Sequence, residues 1–579
     1  MTEPTEAAGD HPRPRRERLP PAPVLYADPQ PPAPVGPVRV VAAGAALLGP
    51  RDAARRALVQ DAVSPALRAK DPTLWGPAAE GDAAVRLGWV DLPATSRALL
   101  PELAALRDGC RSDGLDRVVL CGMGGSSLAP EVICATEGLP LVVLDSTDPH
   151  QVGAALVDLE RTVVVVSSKS GSTIETECQR LVLADALRGL GLDDAAVGRH
   201  FVAVTDPGSA LAAAGEAAGF RAVVLADPDV GGRYSALSAF GLVPAALAGA
   251  DVARLLDDAA AAAADLGTGA GDPGLDLGAA LGGCAAAGRD KLVIADAGAG
   301  LVGFGDWAEQ LIAESTGKDG SGILPVVVES PDAPGTKHTA TNDVHVVLLG
   351  DRPPKNGTAV SGPLGGQLLV WEWATAVAGR VLGSNPFDQP DVEEAKVNAR
   401  ALLDSPDAEL PEGEPAFVDG PVAVFADAAL LHGGTDLPGV LDMVVGAIPP
   451  TGYLAVMAYL DRVGEAALRE LRPLLAARTP RPVTFGWGPR FLHSTGQYHK
   501  GGPRVGCYLQ VTGAVEVDIS VPGQPFTLGR LQLAQALGDL GALRDRGRPA
   551  VRLHLLDRAA GVAALLAAAR PPEEEAAGP

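Results

Sequence analysis

Cations are in short supply in this chain. Only 47 Lys and Arg stand against 71 Asp and Glu, a net charge of −24 over 579 residues. Nucleic acid and anionic lipid surfaces are held by clustered Lys and Arg, so neither is expected as a partner. A small phosphorylated molecule stays open, because a few local donors can bind one phosphate in an acidic protein. The six cysteines (Cys110, Cys121, Cys134, Cys178, Cys284, Cys507) are scattered and form no CxxC pair. They read as reduced structural thiols rather than a disulfide frame or a zinc site. No N-terminal signal pattern is present, and no apolar run reaches the ~18 residues needed to span a bilayer. The expected location is the cytoplasm. Aromatics amount to only 4%, while Ala and Gly abound, which favours close helix–sheet packing.

The chain is too long for one core. Residues 1–40 form a Pro/Arg-rich stretch without apolar period and read as a disordered tail. Helical spacing follows, and then short apolar strands alternate with helical segments: RVVLC, PLVVL, TVVVV, HFVAV and RAVVL. The pattern restarts at KLVIAD near residue 290 and again at PVAVF near 421. Such alternation implies parallel strands joined by crossovers, hence α/β architecture with doubly wound sheets. The expected layout is a helical lead-in and first domain over 41–260, a second over 261–408, a smaller C-terminal α/β domain over 409–570, and a frayed end at 571–579. The PEGEP stretch at 411–415 is the expected linker.

Two turns behind strands are unusually polar. Gly122-Met123-Gly124-Gly125-Ser126-Ser127 ends the first strand, and its glycines permit close backbone approach. Two strands later, SSKSGSTIET (167–176) packs six hydroxyls, Lys169 and Glu175 into ten residues. Both turns belong at one edge of a parallel sheet, where open α/β folds bind ligands, and hydroxyls with turn amides suit a phosphate. Glu175 is expected to open the following helix and to pair with Lys169. A separate Gly298-Ala299-Gly300-Leu301-Val302-Gly303 fits the dinucleotide spacing GxGxxG, with Glu329 ending the next strand.

Gln310 and Glu314, four apart, share one helix face; they read either as a surface pair or as site groups. Arg233, entering an apolar segment after Gly231-Gly232, suits a rim salt bridge or the stabilisation of a developing anion. Lys396 stands among acids on a helix. His493 and His499, with Cys507 nearby, match no standard zinc spacing.

Taken together, GMGGSSLAPEV (122–132), SSKSGSTIET (167–176), VGGRYSALSAFGLVPAAL (230–247), EQLIAESTGK (309–318) and NPFDQPDVEEAK (385–396) resemble the phosphoglucose isomerase family, built from two sugar-isomerase domains. The flanking LWGPAAEGDAAVRLGWVDLP (74–93) and FGWGPRFLHSTGQYHKGGP (485–503) are similar to the branch of that family fused to bacterial transaldolases. The resemblance implies interconversion of glucose 6-phosphate and fructose 6-phosphate through a cis-enediolate, with no metal and no cofactor. It assigns the phosphate to Ser126, Ser168, Ser170 and Thr173, with Lys169, Ser172 and the amides around Gly124 and Gly125. Glu314 becomes the base, Arg233 the enediolate cation, Gln310 a sugar-orienting group and Lys396 a ring-oxygen partner. The family also uses a histidine to open the ring, and no family motif marks it in this chain; His499, polar and Gly-flanked in GQYHKGG, is the expected candidate on local composition, with His338, His345 and His493 as the alternatives. A relative also accepting mannose 6-phosphate, a non-catalytic sugar-phosphate sensor and a nicotinamide dehydrogenase are the competing readings; Glu314 and Arg233 together favour the isomerase. The expected assembly is a monomer or homodimer acting on a small sugar phosphate.

Overall fold

The computed structural model describes residues 36–269, 271–336, 342–404, 410–431 and 434–570. The tail through residue 35, His338 and the end at 571–579 lie outside the described residues.

Three sheets organise the described residues. The first contains β2 (Arg117–Gly122), β3 (Val142–Leu144), β4 (Thr162–Ser167), β5 (Phe201–Thr205) and β6 (Ala222–Leu225) in the order β3-β2-β4-β5-β6, all parallel. The second contains β7 (Lys291–Asp296), β8 (Leu324–Val327), β9 (Val344–Leu349) and β10 (Gly357–Ser361), again parallel. Its edge is β1 (Arg39–Ala43), antiparallel to β10. The chain therefore enters the second sheet before building the first, so residues 39 and 40 are strand rather than tail. The exposed–intermediate alternation of RVVAA along β1 is that of an edge strand.

The third sheet holds the hairpin β11 (Phe417–Asp419) and β12 (Val422–Phe425) and the parallel strands β13 (Tyr453–Tyr459), β14 (Val483–Trp487), β15 (Gly506–Gly513) and β16 (Ala550–Leu555). Their order is β11-β12-β16-β15-β13-β14.

Continuous apolar strands need cover on both faces, and β4 shows how this chain provides it. Val163 and Val165 join a core shared by the first two units, with Leu281, Ile294 and Trp371. Val164 and Val166 face the opposite way, into a core closed by Phe526, Leu528 and Leu531 of the third unit. The third unit is thus docked by apolar burial, with the helix Leu528–Asp545 contributing Leu528, Leu531 and Ala534 to that core. Within the second unit, the helix Pro273–Ala286 starts on an Asp272 cap and packs against Leu364–Leu382. A Cβ at Gly278 would stand 2.6 Å from Val377, so glycine there sets the close spacing of the two helices.

Buried charges reinforce the docking. Arg462 reaches Glu131 at 2.7 Å and Asp145 at 3.0 Å, while Arg490 reaches Asp145 at 2.5 Å and Glu131 at 2.9 Å. Burial alone would raise the Asp145 carboxyl, but the two guanidiniums outweigh it and hold the group below the usual range. All six cysteines are free and buried, and burial pushes their thiols upward. Among the described residues no helix is long and apolar enough to cross a membrane.

Candidate active site

Gly122 at the end of β2 pairs with Ser167 at the end of β4, so the two polar turns emerge side by side. The first becomes a short 3₁₀ turn, Gly124–Ser126. Gly124 has φ +54°, and a Cβ there would stand 2.7 Å from Gln310 Nε2 and 2.8 Å from the His493 carbonyl. Gly125 likewise has no room for a Cβ against the Gly232 carbonyl, 2.0 Å away. Only glycines let this turn lie against three other segments at once.

The second turn is braced by its own hydroxyls. Ser168 Oγ lies 2.9 Å from Thr173 Oγ1, and Ser170 Oγ 2.8 Å from Ser172 Oγ. The amides of Gly171 and Ser172 donate to Ser168 Oγ (3.2 Å) and Ser170 Oγ (3.3 Å). Lys169 points away, its Nζ bound to Asp206 at 2.6 Å and to the Pro228 carbonyl. Its ammonium is therefore not part of the hydroxyl cradle, and it does not pair with Glu175.

Glu175 stands instead in the first turn of the helix Ile174–Gly189 and is almost fully buried. Its Oε1 lies 2.9 Å from His493 Nε2 and accepts from Gln535 Nε2 at 2.7 Å. Burial would raise this carboxyl, yet the His493 charge and hydrogen bond prevail and keep it below the ordinary glutamate range. Ser170, Ser172, Thr173, Glu175, Lys396, His493 and Gln535 line one cavity of about 210 Å³. Lys396 Nζ is bonded to Glu393 at 2.8 Å, one helical turn earlier.

Beside it lies a second cluster. Gln310 and Glu314 project from the helix Phe304–Thr316, and Gln310 Nε2 donates to Glu314 Oε2 at 3.2 Å and to the His493 carbonyl at 2.8 Å. Arg233 is buried; a guanidinium nitrogen lies 3.5 Å from Glu314 Oε1 and donates to the carbonyls of Phe387 and Asp388. Lys318, also buried, donates to the Asn385 and Asp388 carbonyls and to Asp388 Oδ1. Burial and the neighbouring Arg233 lower its ammonium to about 8. His493 joins the two clusters, ring toward Glu175 and carbonyl toward Gln310.

The other histidines are placed differently. His499 is buried among Tyr453, Tyr508 and Phe491, and burial with Lys500 and Arg548 pushes it down to about 3. It does not line the cavity. Its ring stacks in an aromatic core because the helix Gly496–Gly501 turns it inward. His345 lies inside β9, bonded to Thr358 at 2.9 Å, and burial lowers it to about 3. The GxGxxG turn is self-satisfied: Asp296 accepts from the amides of Gly298 and Ala299, and Glu329 is bound by Arg472 at 2.5 Å. The weak signal for His493 in the sequence was its position in a Gly-rich turn behind a strand; Lys318 closes the EQLIAESTGK stretch but was given no role, and Gln535 carried no signal.

Known proteins are similar to part of this chain in sequence and fold. A family model described as phosphoglucose isomerase matches residues 105–273. A glucose-6-phosphate isomerase of Rubrobacter xylanophilus is 31% identical over 392 residues, covering 55% of this chain and 89% of that protein. One of Symbiobacterium thermophilum is 30% identical over 407 residues, covering 56% and 89%. Among solved structures, a hypothetical protein of Thermus thermophilus superposes with a TM-score of 0.54 at 26% identity, covering 63% of this chain and 99% of that one. With most of these relatives' length spanned at such identity, the chain belongs to the phosphoglucose isomerase family.

Proposed function

We propose that the protein interconverts glucose 6-phosphate and fructose 6-phosphate by proton transfer through a cis-enediolate. The observation that carries this reading is the Arg233–Glu314 juxtaposition, a buried cation 3.5 Å from a carboxylate, next to a cradle of hydroxyls. Aldose–ketose interconversion needs a carboxylate that takes a proton at C2 and returns it at C1, and a cation where the oxyanion develops. Glu314 and Arg233 have those chemistries. Gln310, bonded to Glu314, sets its orientation and offers its amide to a sugar hydroxyl.

The phosphate belongs on Ser126, Ser168, Ser170, Ser172 and Thr173 with the amides around Gly124 and Gly125, an arrangement of neutral donors suited to a dianion. Lys396, at the cavity wall, supplies the nearby positive charge that Lys169 does not. For ring opening, His493 replaces His499 in this reading. Its imidazole faces the cavity and is held by Glu175, so it can pass a proton to the ring oxygen, whereas His499 has no access to a substrate. The reaction is redox-neutral and proceeds by proton transfers alone. We read the protein as cytoplasmic, acting as a monomer or homodimer.

Conversion of fructose 6-phosphate by the purified full chain, followed by enzyme-coupled detection of glucose 6-phosphate, tests the activity. Mannose 6-phosphate formation is measured in parallel. Turnover to glucose 6-phosphate is expected; a chain that binds the sugar phosphate without turnover would establish the sensor reading instead.

A further inference from the structure

The third unit holds a larger cavity, about 850 Å³, that the isomerase reading does not use. It opens at the carboxyl ends of β13, β15 and β16, where Tyr459, Thr512, Gly513 and His554 stand. From β13 the chain passes to β14 on one side and then to β15 on the other. The cavity therefore sits at a topological switch point, the place where open α/β sheets receive ligands.

Its polar groups are mainly donors. Gln532 is 5% exposed, and its Nε2 has no hydrogen-bond partner among the described residues. A buried amide left unpaired is costly unless something else satisfies it. Thr512 Oγ1 and His554 Nδ1 lie 2.9 Å apart. Their bond uses one of the pair's two hydrogens, whichever tautomer is present, and leaves the other for a ligand. Burial, with Arg552 assisting, lowers the His554 imidazole. Arg530 also lines the wall, with its guanidinium donating to the Leu402 carbonyl at 3.5 Å. The wall's carboxylate, Glu412, is already matched by Arg552 at 3.0 Å.

The helix Leu528–Asp545 separates this cavity from the candidate active site. Gln532, Leu533 and Ala536 face the one; Leu531 and Gln535 face the other. Gln535 donates to Glu175, and the Tyr459 hydroxyl donates to the Gln535 carbonyl at 3.4 Å. We propose that the cavity is a second small-molecule site, taking a metabolite that bears a carboxylate or phosphate group, and that this helix transmits its occupancy to Glu175.

Binding is measured directly, so the outcome is independent of isomerase activity. Calorimetry on the full chain uses inorganic phosphate and, separately, malonate, with wild type, Gln532→Glu and Val515→Trp. The first variant sets a carboxylate against an anion, and the second fills the mouth from a half-buried position, so one serves if the other misfolds. The expected result is a binding component for at least one probe that the variants weaken tenfold or more; the favoured probe assigns the anion class. Hydrogen exchange should then slow at residues 528–536 and in the turn 168–176, and the part of the slowing in the turn that comes from this cavity should be lost in Val515→Trp, which leaves the phosphate cradle of the turn itself intact. Binding of both probes unchanged in the variants, or no binding at all, overturns the site. Exchange unchanged in the turn 168–176, or slowed there equally in Val515→Trp, overturns the coupling.

Discussion

His493 Nε2, carried by the third unit, lies 2.9 Å from Oε1 of Glu175, which opens the helix behind the hydroxyl turn of the first unit. One hydrogen bond thus ties a terminal domain to the floor of the candidate active site. It also explains why a carboxylate stands so close to a phosphate cradle: its charge is directed at an imidazole and at Gln535.

His493→Ala should lower kcat on cyclic substrate by about 10²-fold, the size of a lost general acid. His499→Phe should leave kcat close to wild type, because that ring lies in an aromatic core. Steady-state assays of both variants separate the two; a slow His499→Phe beside a normal His493→Ala would reverse the assignment.

Arg490 shares a 3₁₀ turn with His493 and bonds Asp145 and Glu131 of the first unit. Arg490→Met leaves Arg462 alone to face the two buried carboxylates, at a cost of up to about 3 kcal/mol. Thermal unfolding should fall accordingly, and kcat should fall with it as His493 loses its position. A variant of unchanged melting temperature would show that the domain contact is not made in solution.

The hydroxyl turn should govern substrate affinity. Ser170→Ala or Thr173→Ala removes a hydrogen bond to a charged group, about 1.5–3 kcal/mol, so KM should rise by about 10–100-fold. Lys169→Ala should raise KM far less, since Nζ is spent on Asp206. KM values for the three variants decide it, and a dominant Lys169 effect would mean that the ammonium swings into the site.

His499 and His345 make stability pH-dependent in a definite sense. Both are lowered to about 3 from 6.5, so the unfolded chain takes up their protons near pH 6.5 and the folded chain does not. Their contribution is full above pH 6.5 and is lost as pH falls toward 3, with a slope of up to about 1.4 kcal/mol per pH unit for each. Urea midpoints across that window should fall with pH, and more gently in His499→Phe. Equal slopes in the two proteins would contradict the buried, neutral placement.

Much of this fold was legible because strand and turn signals are local. TVVVV announced a strand covered on both faces, and the two polar turns behind parallel strands announced a shared edge. β1 was not legible: its alternation is weak and its partner, β10, lies more than 300 residues away. The choice between His493 and His499 turned on tertiary packing, because six residues of one Gly-rich segment send one ring to the cavity and the other into a tyrosine cluster. Glu175 looked like a partner of Lys169 because proximity in sequence favours it; Asp206, on the neighbouring strand's loop, took the lysine instead.

The most direct test of the central claim is turnover by Glu314→Gln beside wild type, with solvent deuterium incorporation at C2 of recovered glucose 6-phosphate as a second readout. Removing the base while keeping the shape should cost about 10²–10⁴-fold or more in kcat and abolish deuterium incorporation, with the Arg233–Gln310 cluster still folded. A Glu314→Gln protein that isomerises and exchanges at the wild-type rate would contradict the assignment of Glu314 as the proton-transferring group.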